Sequence, residues 1–390
     1  MSGLDDARDR AKGGVAEAAD ELIDVSRRIH AEPELALKEH KASALMADRL
    51  ESHGFQVERG VAEIETAFRA SWGEGPVTVA YLCEYDALPD IGHACGHNLI
   101  ATAGLGAAYG LKAALSPSEV RLLVLGTPAE EDLGGKAMML ERGVFEGVDV
   151  ALMAHPAPLD VEMPPMYGVE QVRVAYKGRS AHASFAPEMG INALDGIVQA
   201  YQAIAQLRQH IRRDSRIHGI ISDGGSAANV VPERAAGTFM VRAQNPAYLR
   251  ELKAKVIRCF ESGAASSGAE LEMRWDPYAY EPMRNNRALA AAYRANAESL
   301  GRRFIDTPID STGSSDMGNI SQAMPSIHPM FGIGGAAFNH TPAFTDASAT
   351  DRAHEAMVQV AQALAMTGVQ VALDPDLLQR AKDEFASGSR

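Results

Sequence analysis

The chain has 390 residues, of which 46% are hydrophobic and 23% are charged, a composition typical of globular proteins and not of disordered or fibrous ones. A chain of this length exceeds one ordinary hydrophobic core, so we expect two compact domains. The formal net charge of −14 disfavours nucleic acid and anionic membrane surfaces as partners, because no dense run of Lys and Arg offsets it.

The N-terminal residues 1–14 are polar and lack the apolar segment of a signal peptide, and no run of about 18 apolar residues predicts a membrane span. The three cysteines are too few, and odd in number, for a disulfide framework. We therefore expect a cytoplasmic protein in which Cys83 and Cys259, which lie in apolar or helical patterns, are buried thiols. Cys95 differs, because a histidine lies two residues away on each side of it.

The first part of the chain alternates predicted helices and strands. Apolar residues recur at helical spacing from Ala18 to Ile29, and Pro33 ends that pattern. The elements that follow are a helix at 39–53, strands at 77–82, 120–125 and 148–153, and helices at 98–115 and 135–142. Strands that alternate with helices indicate a parallel or mixed sheet covered by helices.

A different order of elements begins near residue 169. It comprises a strand at 169–177, a helix at 190–212, strands at 217–222 and 236–242, a helix at 246–265 and a strand at 269–275. This β-α-β-β-α-β order is typical of a ferredoxin-like α+β domain. After Pro282 a helical pattern resumes, followed by short apolar runs at 327–333 and a helix at 350–367.

We therefore predict an α/β protein with a discontinuous first domain. Residues 1–168 and 282–390 form a mixed sheet covered by helices, and residues 169–281 form an inserted ferredoxin-like domain. No internal repeat is apparent in the sequence, and we expect the last few residues to be frayed.

The first candidate site is the segment 83–98, which follows a predicted strand and opens a helix. Open α/β sheets place their sites in loops at the carboxyl ends of strands. Within it, Cys95 and His97 offer a thiolate and an imidazole, ligands that suit zinc, manganese or cobalt better than calcium or magnesium. Two ligands alone do not define a metal centre, and His93 has no assigned role.

Further candidates follow the next predicted strands. Glu130 and Glu131 lie directly after the strand at 120–125, His155 lies at the end of the following apolar run, and His340 follows a Gly-rich segment. Adjacent carboxylates are commonly solvated on a surface, and a lone histidine is more often structural than a ligand. Four candidate positions at loop ends favour a metal site, in which a carboxylate that binds no metal can act as general base.

Six motifs in order carry a resemblance to a known family. They are Arg-Ile-His-Ala-Glu-Pro-Glu-Leu (28–35), Asp-Ala-Leu-Pro (86–89), His-Ala-Cys-Gly-His (93–97), Pro-Ala-Glu-Glu (128–131), Ala-His-Pro (154–156) and Asn-His-Thr (339–341). In order and spacing the chain resembles the metallopeptidase family of aminoacylases, hippurate hydrolases, auxin-conjugate amidohydrolases and carboxypeptidase G. It looks most similar to the branch with β-alanyl-lysine dipeptidases and aminobenzoyl-glutamate hydrolase subunits.

The resemblance implies a two-metal amidohydrolase. Two divalent ions (zinc, manganese or cobalt) would be held by Cys95, His97, Glu131, His155 and His340. Glu130 would be the general base, taking a proton from the attacking water and passing it to the departing amine. Asp86 matches a carboxylate that orients one of the ligands, although a turn residue before Leu-Pro is the alternative.

The resemblance also assigns the inserted domain as a lid and dimerisation domain of a homodimer. His182, in Gly-Arg-Ser-Ala-His-Ala (178–183), resembles a histidine that reaches the partner's active site and stabilises the oxyanion; a polar loop residue is the alternative. Asn229 and Arg242 resemble the pair that recognises the substrate carboxylate, which an Arg fork suits. A surface salt bridge is the alternative for Arg242.

The expected activity is hydrolysis of the amide bond of an N-acyl amino acid or small dipeptide. Asn98 and Ser-Ala-His (180–182) depart from the usual residues of hippurate hydrolase types, which weakens any transfer of their substrate preference, and Asp316 has no assigned role. A non-catalytic metal-binding dimeric subunit is an alternative, but a decayed enzyme would be expected to lose Glu130 or a ligand. A zinc-stabilised scaffold ranks last, because it favours a closed four-ligand site.

Overall fold

The structure, a computed structural model, describes residues 3–305, 313–335 and 337–388. It divides into two compact units, one of Met1–Pro164, Arg284–Ile309 and Asp316–Arg390, the other of Pro165–Met283 and Asp310–Ser315. The predicted insertion at 169–281 therefore begins four residues later and ends two residues earlier than the main segment of the second unit.

The first unit begins with eleven helices and strands in chain order. They are α1 (Gly3–Glu17), α2 (Ala19–Ala31), α3 (His40–Ser52), β1 (Gln56–Arg59), β2 (Phe68–Trp72), β3 (Thr78–Cys83), α4 (His97–Ala114), β4 (Arg121–Gly126), α5 (Gly135–Glu141), β5 (Val150–Leu152) and β6 (His155–Ala157). The second unit then contributes β7 (Gly168–Lys177), α6 (Ala193–Leu207), β8 (Ser215–Asp223), β9 (Arg234–Ala243), α7 (Pro246–Ser267) and β10 (Glu270–Trp275).

The chain then returns to the first unit. Its remaining elements are α8 (Arg287–Ser299), α9 (Met317–Ala323), β11 (Ser326–Ile327), β12 (Met330–Gly332), α10 (Pro342–Ser348), α11 (Asp351–Leu373) and α12 (Pro375–Ser387).

The six-stranded sheet of the first unit is mixed, in the order β1-β2-β4-β3-β5-β11. Strands β4, β3, β5 and β11 are parallel, whereas β2 and β1 join antiparallel at one edge. A separate parallel pair is formed by β6 and β12. The predicted mixed sheet with helices is thus confirmed.

Helices α4 and α11 lie in the core of this unit, and most of their residues are buried. Gly104 permits the close packing of α4 on β3, because a Cβ at this position would lie 2.6 Å from the Cys83 Sγ atom. Within the described residues, α11 is the one helix long and apolar enough to cross a membrane, a feature that the sequence analysis did not identify. Its apolar residues pack in the core, since 72% of its most apolar 18-residue segment is buried inside the protein.

The second unit has a four-stranded antiparallel sheet in the order β10-β7-β9-β8. Its apolar face packs with α6 and α7 around Val174, Ile197, Phe239 and Phe260. Asn192 caps α6 by accepting a hydrogen bond from the Leu194 N–H, so this helix begins three residues later than the start predicted at residue 190. The predicted ferredoxin-like arrangement is confirmed.

Seven of these elements were not predicted from the sequence: α1, β1, β2, β6, α9, α10 and α12. The buried stripe of α1 consists of Ala7, Ala11 and Val15, small residues that give a weak apolar signal. Strand β1 lies at the sheet edge with mostly exposed residues, so it shows no apolar alternation. Close to the C-terminus, α12 buries Leu377 and Ala381 and begins at the Asp374 cap.

Candidate metal centre

The fold brings together the loops that follow the parallel strands of the first unit. Strand β3 leads into the loop that carries Cys95, β4 leads into the loop with Glu130 and Glu131, and β6 begins at His155. His340 precedes α10, and its N–H donates to the Ala94 carbonyl at 2.8 Å, which ties it to the Cys95 loop. The backbone of His340 is left-handed, with φ 64°, a conformation that is uncommon outside glycine.

Cys95 lies at the centre of two groups of possible metal ligands. Its Sγ atom is 3.3 Å from the His155 Nε2 atom and 3.5 Å from the His340 Nε2 atom. Cys95, His97 and His155 form one group, and Cys95, Glu131 and His340 form the other, each with its ligand atoms within 4.8 Å of one another. Two overlapping groups that share a thiolate can hold two adjacent cations.

His97 is oriented for metal binding by Asp86. The His97 Nδ1 and Asp86 Oδ1 atoms are 3.0 Å apart, and the other Asp86 oxygen accepts the Glu131 N–H at 3.0 Å. The His97 Nε2 atom is then buried without a hydrogen-bond partner in the described chain. The Glu131 Oε1 atom is likewise buried and without a hydrogen-bond partner there. A histidine bonded to a carboxylate through one nitrogen and with its other nitrogen unpaired has the typical geometry of a metal ligand.

His155 is fixed in the same way by a backbone group. Its Nδ1 atom lies 2.8 Å from the Pro156 carbonyl oxygen, which favours the tautomer with a proton on Nδ1 and leaves Nε2 to face Cys95. Burial lowers the pKa of His155, which keeps the imidazole neutral as a ligand requires. His340 differs, because its side chain is 57% exposed.

Glu130 is almost fully buried, with 5% of its surface exposed, beside the ligands. One of its carboxylate oxygens lies 3.9 Å from the His97 Nε2 atom. Burial raises the pKa of Glu130, and the neighbouring carboxylates of Glu84 and Glu131 raise it further. A carboxylate whose affinity for a proton is increased, next to a group of metal ligands, suits a general base.

Behind these residues lies a buried charge cluster that was not predicted from the sequence. The Lys136 ammonium donates hydrogen bonds to Glu84 and, at 2.6 Å, to the Asp316 Oδ1 atom, and all three side chains have no exposed surface. Burial would raise the pKa of Glu84, but Lys136 and the neighbouring histidines lower it to about 2. The signal available in the sequence was Glu84, two residues before Asp86 and directly after the strand.

Two buried histidines near the cluster were also not assigned from the sequence. His93 lies 3.0 Å from the Ile29 carbonyl oxygen through its Nε2 atom, and burial lowers its pKa to about 3, so it links the Cys95 loop to α2 as a neutral group. The ring of His328 packs edge-on against His155 at a centroid distance of 5.6 Å.

In the second unit, the structure brings His182 and Asn229 together. The Ala183 N–H donates to the Asn229 carbonyl at 3.0 Å, and His182 pairs with Val230 in an isolated bridge. Both His182 and Asn229 are at the surface, and the His182 Nδ1 atom accepts the Phe185 N–H at 3.1 Å.

Arg242 lies elsewhere in that unit, near the end of β9. Its guanidinium donates to Ser314 Oγ at 2.7 Å and to His218 Nε2 at 3.2 Å. Asn229 precedes the other end of β9, and the nine strand residues from Arg234 to Arg242 span about 26 Å. One chain therefore does not bring Asn229 and Arg242 to the same small ligand.

Comparison with known proteins shows sequence similarity to hydrolases over nearly the whole chain. Residues 82–366 match the profile of peptidase family M20/M25/M40. The mouse Xaa-Arg dipeptidase is 40% identical, with 96% of this chain and 91% of the mouse protein covered. A p-aminobenzoyl-glutamate hydrolase chain of Escherichia coli is 28% identical, with 98% and 94% covered.

Solved structures show the same fold. A Bacillus subtilis protein described as a dinuclear metal-binding peptidase superposes with a TM-score of 0.71 at 24% identity, over 91% of this chain and 99% of that one. The aminobenzoyl-glutamate utilization protein of Klebsiella pneumoniae gives 0.71 at 22% identity, over 92% and 97%. At these identities the likeness concerns the fold, and the resemblance found in the motifs is confirmed by the family profile.

Proposed function

Because the chain belongs to peptidase family M20/M25/M40, as its hydrolase relatives do, we propose that it is a two-metal dipeptidase with Glu130 as general base. The observation that carries this proposal is the pair of ligand groups that share Cys95, with Glu130 beside them. Cys95, His97, Glu131, His155 and His340 would hold two zinc, manganese or cobalt ions. When bound, these ions would acidify a water molecule and stabilise the negative charge that develops on the amide oxygen.

The chain's own residues move the proton. Glu130 accepts the proton from the attacking water and donates it to the departing amine. Its raised pKa suits this role, because a carboxylate with low proton affinity would not accept the proton. Asp86 holds His97 through Nδ1 and keeps its Nε2 atom directed at the ligand group. The cysteines of the described chain are free thiols, as is usual in a reducing compartment, and we infer a cytoplasmic location from this.

The proposed substrate is a dipeptide or N-acyl amino acid with a free carboxylate. The 40% identical mouse relative is named for dipeptides that end in arginine, so these are the first candidates, followed by aminobenzoyl-glutamate. Arg242 would bind the carboxylate, since its guanidinium has only neutral hydrogen-bond partners in the described chain. Charge-assisted, fork-shaped contacts of this kind are specific for carboxylates.

The proposed assembly is a homodimer, in which Asn229 of one subunit and Arg242 of the other could contact the same substrate. A dipeptide spans about 7 Å, much less than the length of β9, so Asn229 and Arg242 can contact one substrate only from different subunits. His182 lies with Asn229 and would act with it, as a donor to the developing oxyanion.

The proposal is tested by replacing the base while keeping the ligands. Glu130→Gln should lower kcat by about 100- to 10,000-fold, which is the contribution typical of a general base, while two metal ions stay bound per chain. Hydrolysis of Xaa-Arg dipeptides, N-acyl amino acids and aminobenzoyl-glutamate would be measured with zinc-, manganese- and cobalt-loaded protein, and metal content by mass spectrometry. Retained turnover would remove Glu130 as base, and one metal per chain would remove the two-metal site.

A further inference from the structure

Lys136 is a fully buried lysine that takes no part in the function proposed above. It has no exposed surface and ranks among the largest completely buried side chains of the described protein. Its ammonium bonds to Glu84 and Asp316, and its backbone N–H donates to the second Asp316 oxygen at 2.8 Å. A charged group is almost never buried in this way unless it is paired.

The ammonium lies where three carboxylates meet. Oxygens of Glu84, Glu130 and Asp316 are within 4.8 Å of one another, an arrangement that could hold a cation. Because the Lys136 ammonium is bonded to two of the three carboxylates, it already supplies a positive charge there. Burial would lower the pKa of Lys136, but Asp316 and Glu84 raise it, so the lysine stays charged.

The cluster is in contact with the candidate metal centre through Glu84. One Glu84 oxygen binds Lys136, and the other, buried and without a hydrogen-bond partner in the described chain, lies 3.5 Å from the His97 Nε2 atom. That nitrogen is also 3.9 Å from Glu130. The Lys136 cluster therefore lies directly behind the proposed base and one proposed ligand.

The backbone of Lys136 is also tied to the loop that carries Glu130. A Cβ at Gly135 would lie 1.8 Å from the Pro128 carbonyl oxygen, so only glycine allows this contact. The Gly134 N–H donates to the Ala129 carbonyl at 2.9 Å. The start of α5 and the residues before Glu130 therefore pack directly against each other, so that a displacement of Lys136 would be transmitted to Glu130.

We propose that Lys136, anchored by Glu84 and Asp316, is a positioning residue for Glu130 and His97. Its fixed charge offsets the repulsion among the carboxylates of Glu84, Glu130 and Asp316, so that the Glu130 carboxylate stays beside the ligands. This inference rests on the function proposed for Glu130. It also gives a role to Asp316, which the sequence analysis left unassigned.

The test compares a single and a double substitution. Lys136→Met should lower kcat by about 100-fold, the lower end of what a general base contributes, with little change in KM. The double variant Lys136→Met with Asp316→Asn restores the net charge of the cluster, and Asn keeps an acceptor for the Lys136 backbone N–H. It should therefore recover about tenfold in kcat over the single variant, as expected of a charge effect within one network.

Arg302 provides a matched control in the same unit. It forms an ion pair with Asp160 at 2.6 Å, with side chains 5% and 13% exposed. Arg302→Met should lower the Tm of the metal-free protein, as Lys136→Met does, but leave kcat unchanged. If Lys136→Met does not fold, Asp316→Asn replaces it, with Asp160→Asn as its control; Asp316→Asn should lower kcat about tenfold with KM unchanged, because the ammonium loses one anchor.

The outcomes separate this inference from the proposed function. A folded, metal-loaded Lys136→Met with wild-type kcat would overturn it, as would a double variant no faster than the single one or, in the replacement series, an unchanged kcat for Asp316→Asn. If Glu130→Gln is inactive while these results are obtained, the proposed base stands and only the role of Lys136 fails. If Glu130→Gln keeps its turnover, the proposed function fails first.

Discussion

Most predicted functional residues of the first unit are buried, whereas two of the three in the second unit are exposed. In the first unit Cys95, His97 and Glu130 are buried, and Asp86 fixes the orientation of His97 through a hydrogen bond. In the second unit His182 and Asn229 are on the surface, beside Phe185, which is 86% exposed.

This difference in burial decides whether the geometry of each set of residues is fixed within one chain. A buried cluster of ligands and base has its geometry fixed by the packing around it, so it can be interpreted from one chain. Exposed polar residues beside an exposed aromatic side chain are not enclosed by packing within their own unit, which is typical of residues that act on a partner or a substrate. Whether His182 and Asn229 serve the buried set can be tested by substitution.

The largest effect is expected for His182. Removal of one oxyanion donor typically costs about 100- to 1,000-fold in kcat, so His182→Ala should be nearly inactive. In a 1:1 mixture with Glu130→Gln, half of the dimers are mixed and each has one intact site, so about a quarter of wild-type activity should return. His210→Ala, at an exposed histidine of the same unit, is the control and should behave as wild type. No recovery in the mixture would mean that the sites are not shared.

A smaller effect is expected for Arg242. Hydrogen bonds to charged groups contribute about 1.5–3 kcal/mol, so Arg242→Gln should raise KM by roughly 10- to 100-fold for a dipeptide with a free carboxylate. The KM for the same dipeptide as its C-terminal amide should hardly change. Arg234→Gln, at the opposite end of β9 and paired with Asp223, is the matched control. An equal loss on both substrates would contradict carboxylate recognition.

The smallest effect is expected for Glu39, whose side chain is fully buried in the first unit. Its Oε1 atom accepts the Ala129 N–H at 2.9 Å, and burial together with Asp86 raises its pKa to about 7. Because the folded protein holds this proton more tightly than the unfolded chain, the resulting stability is complete below about pH 4.5 and is lost as pH rises through about 7.

Glu39→Gln removes this titration, because the amide stays neutral. The unfolding free energy of the wild type should fall relative to the variant by on the order of 2 kcal/mol between pH 5 and pH 8. Thermal unfolding of the metal-free proteins measures it, with the exposed Glu58→Gln as control. Parallel pH profiles for Glu39→Gln and wild type would show that Glu39 does not titrate in this range.

Elements with strong local signals were found in the sequence close to their observed bounds. The strand predicted at 77–82 is Thr78–Cys83, and the helix predicted at 98–115 is His97–Ala114. Both are predominantly apolar segments bounded by turn residues. Elements whose burial depends on distant neighbours, such as α1 with its small-residue stripe, gave too weak a signal.

The sequence by itself determined the family, the order of elements and the candidate ligands, because these depend on residue type and spacing along the chain. Only the tertiary structure decided that Asp316 joins Lys136, 180 residues away. The physical reason is that a buried ion pair or a shared ligand group is a contact between distant segments, formed when loops meet at one edge of a sheet. The spacing of residues along the chain does not contain that information.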